Sequence, residues 1–228
     1  MSFSSSAAVT ASDVFKIYRH GPADTVALRG ASLTIRPGQF VTLEGPSGSG
    51  KSTLFSILTG LTSPSAGQVV ADGHDLADLD EGARAHWRAD RVGVVFQRGN
   101  LIPFLSAEEN VALVAGRKMG RRRAHLLARE LLAMLGLADR SRHRPRRLSG
   151  GEVQRAAIAV ALANDPALLL GDEVTGELDS ETSVSVMGTL MTLQRERGFT
   201  MLLATHDPAV AGLANRRLEL SSGTVRER

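Results

Sequence analysis

The chain has 228 residues, 43% hydrophobic and 22% charged, enough to bury a sizeable core and too apolar for a disordered or fibrous protein. Its longest apolar run, AAIAVALA at 156–163, falls well short of the roughly 18 residues that would span a bilayer, and the opening MSFSSSAAVT lacks the charged start and apolar stretch of a signal peptide, so a cytosolic protein is expected. With no cysteine and six widely spaced histidines, neither a disulfide nor a structural zinc site is expected. Net charge is +3, and only three of the 27 basic residues are lysine. The one basic cluster, Arg121 to Arg123 with Arg140, Arg142, Arg144, Arg146 and Arg147, reads as a solvated face.

Taken in chain order, residues 9–44 and 66–72 alternate apolar and polar positions between Gly and Pro turns, which predicts an antiparallel β edge. Four short, continuously apolar runs, FVTL (40–43), VGVVF (92–96), ALLL (167–170) and MLLAT (201–205), are each followed by helical periodicity. Such runs predict a parallel sheet buried on both faces. After FVTL, the residues Leu54, Ile57, Leu58 and Leu61 mark one face of a helix ending near Gly60. Residues 98–160 are mostly helical with arginine-rich surfaces and read as a helical subdomain inserted into a single α/β domain, whose core is 1–97 and 161–228. The first ten or so residues and the last few look loose.

Between FVTL and its helix lies GPSGSGKST, running Gly45, Pro46, Ser47, Gly48, Ser49, Gly50, Lys51, Ser52, Thr53 and fitting G-x-x-x-x-G-K-[ST]. In such a P-loop the glycines let backbone amides turn inward around phosphates, the lysine reaches the β and γ phosphates, and the Ser52 hydroxyl can ligate Mg²⁺. No [NT]KxD guanine-reading motif occurs, which argues against a GTPase. ALLLGDE places Asp172 and Glu173 just past a buried strand, at the sheet edge where α/β proteins bind ligands. There Asp172 can hold Mg²⁺ through water and Glu173 can polarise an attacking water. Gln97 follows VGVVF and His206 follows MLLAT, so four strand ends bring a P-loop, a Gln, an Asp-Glu pair and a His to one edge.

In LSGGEVQR, Ser149 with Glu152 three residues on forms a capping box, and Gly150 and Gly151 leave bare amides at the positive end of a helix. That makes two phosphate sites for one set of hydrolytic residues. A head-to-tail dimer, each P-loop facing the other chain's SGG turn across an ATP, resolves the surplus.

The P-loop, Gln97 in VVFQ, the signature LSGGE, the LLLGDE segment, Asp179 in ELDS and His206 in ATHD occur in the order of the ATP-binding subunits of ABC transporters, and nearly the whole chain resembles them. The resemblance implies a P-loop NTPase (RecA-like) fold, ATP and Mg²⁺ as ligands, and an ATPase that dimerises with itself and couples to separate membrane permease subunits. It places the chain on the inner face of the membrane. It further implies that Tyr18 in KIYRHG stacks on adenine, that Gln97 senses Mg²⁺ and couples to the membrane subunit, that His206 contacts the γ phosphate, and that Asp179 lies at the nucleotide. FQRGNLIPFLSAEENV (96–111) with GELDS is similar to the subgroup serving lipoprotein release, macrolide-type export and cell-division complexes. One departure is Val174, where the family has Pro after the catalytic Glu; proline would fix the turn that valine can also adopt. The alternative is a soluble ABC-type ATPase acting on nucleic acid or ribosomes. It is not favoured, for want of zinc cysteines, a long coiled coil or a second cassette, and no nucleic-acid partner is expected. The apolar stretch from Asn100 to Phe104 is expected to be exposed and to meet the membrane subunit.

Overall fold

Short apolar runs without polar alternation are satisfied only by burial on both faces, and this requirement shapes the molecule. The computed structural model describes residues 8–20, 23–97 and 101–228. The chain opens with β1 (Val9–His20), β2 (Ala23–Ile35) and β3 (Phe40–Glu44), followed by α1 (Lys51–Leu58), β4 (Ala66–Ala71), β5 (His74–Asp75) and α2 (Glu81–Arg91). Next come β6 (Val92–Val95), α3 (Ala107–Ala115), α4 (Arg121–Met134) and α5 (Gly150–Leu162). The last part holds β7 (Leu168–Asp172), α6 (Ser180–Arg197), β8 (Thr200–Ala204), α7 (Pro208–Ala211), β9 (Arg216–Ser221) and β10 (Thr224–Glu227).

The strands form two sheets. A six-stranded sheet has the order β10-β9-β3-β8-β7-β6, parallel from β9 to β6 and closed at one edge by the antiparallel β9–β10 hairpin. The antiparallel component is a separate sheet, β2-β1-β4-β5, built on strands of 12 and 13 residues. Successive residues of the inner parallel strands enter opposite cores. Leu168 and Leu170 of β7, with Leu43, Leu202 and Leu54, pack under the antiparallel sheet. Leu169, with Phe40, Met201 and Leu203, packs against Ile158 of α5, Leu131 of α4 and Leu190 of α6. Buried Glu108 ties α3 to α4, accepting from Arg129 Nε at 3.0 Å and lying 2.8 Å from His125 Nδ1. Burial pulls its carboxyl up, but the Arg129 and His125 hydrogen bonds outweigh this and hold it below the ordinary value.

Three local expectations change. Leu61 does not share the buried face of α1: the helix ends at Leu58, Gly60 turns the chain through a left-handed conformation (φ 67°), and Leu61 is 51% exposed. At the chain's beginning, β1 already includes Val9 and Thr10. The C-terminal residues are ordered as β10, where Arg216 pairs with Glu227 at 3.0 Å and Arg228 reaches Glu44 at 2.6 Å. α5 runs through residues 160 and 161, where the sequence reading set a boundary.

Gly93 lets β6 pack against α5, since a Cβ there would stand 2.3 Å from the Ala161 carbonyl oxygen and 3.0 Å from Leu169 Cδ1. Gly93→Ala should therefore destabilise the fold by roughly 1–3 kcal/mol, the usual penalty for overpacking, read as a lower urea midpoint at unchanged slope.

Candidate functional site

The carboxyl ends of β3, β6, β7 and β8 lie side by side, and the loops leaving them carry the predicted chemistry. After β3 the chain turns through residues 45–50 into α1. At Gly45 (φ 150°) a Cβ would stand 2.2 Å from the Leu220 carbonyl oxygen, and at Gly50 (φ 107°) one would stand 2.6 Å from that of Ala27. Both positions accept only glycine. α1 begins without a side-chain cap, so no capping oxygen consumes its first-turn amides. Lys51 is buried, and its Nζ donates to the carbonyls of Gly45 at 2.5 Å and Pro46 at 3.0 Å. The ammonium is thus held inside the loop it would share with phosphate. Ser49 is also buried, its hydroxyl without a hydrogen-bond partner.

Ser52 Oγ donates to Asp172 Oδ2 at 3.0 Å, joining the start of α1 to the end of β7. Glu173 follows in a left-handed conformation (φ 51°), which costs a non-glycine residue roughly 1–2 kcal/mol. Two backbone bonds hold it there: its N–H donates to Ala204 O at 2.9 Å, and its carbonyl accepts from Gly176 N at 3.0 Å. The carboxylate is flanked on both sides, accepting from Gln97 Nε2 at 3.0 Å and lying 3.3 Å from His206 Nε2. Val174 is 3% exposed and packs in the core. Ser52, Gln97, Asp172, Glu173 and His206 are thereby brought together.

Other predicted residues lie apart. Ser149 caps α5 in a reciprocal box, its Oγ accepting from Glu152 N at 3.2 Å and its N–H donating to Glu152 Oε2 at 2.8 Å. Gly150 and Gly151 open that helix beside Glu177 and Leu178. Asp179 caps α6 through Thr182 N at 2.9 Å, and the Thr182 amide and hydroxyl hold its carboxyl below the ordinary value. Among the described residues no hydrogen bond or ion pair joins residues 149–151 to the P-loop. Tyr18 stands on β1, with Lys16 Nζ 5.3 Å from its ring centroid.

Sequence reasoning missed Lys16, which also donates to Thr62 Oγ1 at 3.0 Å and Ser63 O at 2.7 Å. Its signal was the two-residue offset that sets strand residues on one face. In the apolar stretch after Gln97, Asn100 falls outside the described residues. Leu101 packs against the core, Asn110 binds the Ile102 amide at 2.7 Å, and Phe104 is the side chain presented, 68% exposed.

A family model described as ABC transporter matches residues 28–176, more than half of the chain. The chain belongs to the ABC transporter family. Its cassette is 44% identical over 216 residues to the macrolide export ATP-binding/permease protein MacB of Syntrophobacter fumaroxidans, covering 93% of this chain and 30% of MacB. It is 42% identical over 220 residues to the lipoprotein-releasing system ATP-binding protein LolD of Bordetella avium, covering 96% of both chains. The cassette thus spans about a third of the MacB relatives and nearly all of LolD. Among solved structures it superposes on the ATP-binding cassette MJ0796, in a dimeric post-hydrolysis state bound to ADP and Pi, with TM-score 0.92, 41% identity and coverage of 96% of this chain and 97% of that one. The cassette is a transporter-type ATP-binding ATPase domain of α/β fold, and none of these comparisons favours the nucleic-acid alternative.

The box at α5 gives a direct check. Ser149→Ala removes the N-cap oxygen and should lower unfolding stability by about 1 kcal/mol, measured by denaturant titration.

Proposed function

We propose that this cassette binds Mg·ATP in its P-loop, hydrolyses it with Glu173 as general base, and transmits the resulting dimer cycle to membrane permease subunits. The observation that carries the reading is the carboxylate of Glu173, fixed between Gln97 and His206 at the sheet edge that also holds the Ser52–Asp172 pair. Residues 45–53 would wrap the phosphates, with Lys51 exchanging its two loop carbonyls for phosphate oxygens. Tyr18 would stack on the adenine.

For a metal, Ser52 and Asp172 offer hard oxygen donors 3.0 Å apart, with Gln97 nearby, a set suited to an ion that takes few protein ligands. Among the described residues no cluster of three or more acidic, His or Cys groups forms a cage, so the remaining ligands would be phosphate oxygens and water. When bound there, Mg²⁺ neutralises charge on the β and γ phosphates. Glu173 orients the attacking water and accepts its proton, while Gln97 and His206 keep the carboxylate aimed at the γ phosphate.

Ser149, Gly150 and Gly151, which among the described residues make no hydrogen bond to their own P-loop, are assigned to the ATP of a second copy, with Asp179 beside that shared site. This supports a head-to-tail dimer with two composite sites. We further assign the helices from residue 101 to the end of α5 at Leu162 to a subdomain that carries this surface, and the sheet-bearing residues on either side of it to the nucleotide-binding core. Phe104 is the leading contact for a permease, since it is a large apolar side chain left 68% exposed. No described helix is long and apolar enough to cross a membrane; attachment to its inner face is assigned to that partner. Similarity to MacB and LolD favours export or extraction from the membrane as the task served.

Glu173→Gln keeps the size and shape of the side chain but removes the base. It should bind ATP normally while phosphate release falls roughly 10²- to 10⁴-fold. The check combines a phosphate-release assay with titration of a fluorescent ATP analogue, and near wild-type turnover would place the base elsewhere.

A further inference from the structure

Gly171 and Val174 sit on either side of Asp172 and Glu173, and their packing is unusually restrictive. A Cβ built on Gly171 would stand 2.2 Å from Val174 Cγ2 and 2.7 Å from Leu203 Cδ2. The Val174 isopropyl group therefore occupies the space over the Gly171 backbone where any other residue would carry its side chain. Gly171 cannot yield, because it is paired on both sides, with Val95 of β6 and Leu203 of β8, in the middle of the parallel sheet. Val174 cannot swing away either: it is 3% exposed, and a β-branched side chain has little freedom about its first torsion.

Between these two anchored positions the chain must reverse, and Glu173 takes up the reversal at φ 51°. Its carbonyl accepts from Gly176 N at 3.0 Å, closing the turn from the other end. Val174 is the residue directly after Glu173, whose carboxylate lies 3.0 Å from Gln97 Nε2 and 3.3 Å from His206 Nε2.

We propose that Gly171 and Val174 form a steric interlock that positions Glu173 for catalysis. Neither touches the nucleotide in this account; both act through the carboxylate, so the proposal rests on Glu173 being the base. A methyl group at residue 171 would lift Val174 from its seat and carry Glu173 with it; the milder 2.7 Å approach falls on Leu203 Cδ2, the far end of a longer side chain with a second torsion to relieve it.

The test measures kcat and ATP affinity for Gly171→Ala, Val174→Ala and the double variant, each with Glu173 intact and with Glu173→Gln. Gly171→Ala should lower kcat at least ~10-fold with ATP affinity unchanged, because a displacement near 1 Å in a catalytic group can cost about 10²-fold. Adding Val174→Ala removes the colliding methyls and should restore kcat to within about threefold of Val174→Ala alone, the signature of coupled neighbours. With Glu173→Gln present, Gly171→Ala should slow the residual hydrolysis no further. Should Gly171→Ala fail to fold, Val174→Ala adds no atoms and carries the same comparison: a loss of roughly fivefold with Glu173 intact, and none with Glu173→Gln. Wild-type kcat in Gly171→Ala, a double variant no better than Gly171→Ala, or equal losses with and without Glu173 would each overturn the interlock. Wild-type turnover by Glu173→Gln alone would instead overturn the base assignment, and the interlock's catalytic role with it.

Discussion

The hydrogen bond from Ser52 to Asp172, 3.0 Å long and spanning 120 residues of sequence, is the contact around which the site is organised. It joins the first turn of α1 to the last residue of β7, so the loop that would hold phosphates and the strand that delivers the carboxylates share one reference point. Sheet geometry makes the contact possible, because β3 and β7 both lie beside β8, in parallel register. Parallel strands place all their carboxyl ends at one edge, and chemistry from remote segments meets there without long loops. Burial on both faces in turn keeps that edge rigid, with Leu169 facing one core and Leu168 and Leu170 the other.

Uncommon backbone conformations, found at several turns of the chain, occur at this edge too. Glu173 at φ 51°, Gly45 at φ 150° and Gly50 at φ 107° all occupy regions that ordinary side chains avoid. Each is held by surroundings that leave no alternative: the Leu220 and Ala27 carbonyls close over the two glycines, and strand and turn hydrogen bonds fix Glu173. The core provides what keeps these conformations populated, which links packing remote from this edge to the placement of the side chains on it. By contrast, Ser149 and Asp179 sit in relaxed helix caps with their hydrogen bonds satisfied locally. That difference fits their assigned roles, one set working within the chain and the other offered to a second copy.

Much of this was legible in the sequence because the signals are local. Apolar runs such as LLL at 168–170 identify buried strands, the glycine spacing of the P-loop identifies a phosphate turn, and Ser149 with Glu152 identifies a helix start, all within a few residues. What escaped depends on contacts between segments. That β1 and β2 form their own sheet follows from how two layers stack, which alternation alone does not specify. Leu61 fits the helical period, yet the left-handed turn at Gly60 takes it out of the face. Leu101 and Phe104 are both apolar, and only the folded chain shows the first packed inward and the second presented. Val174 stands out in the sequence only as a departure from Pro, and its close packing on Gly171 is visible only when the strand and the turn are seen together.

The central claim is that ATP bound at this edge completes its coordination with the SGG turn of another copy. Sedimentation equilibrium of hydrolysis-deficient Glu173→Gln, with ATP and with ADP, addresses it most directly. The account predicts a dimer at saturating ATP and a monomer with ADP, because only the γ phosphate reaches both the P-loop of one chain and the residues 149–151 of the other. A protein that stays monomeric at saturating ATP, or that dimerises equally well with ADP, would contradict it.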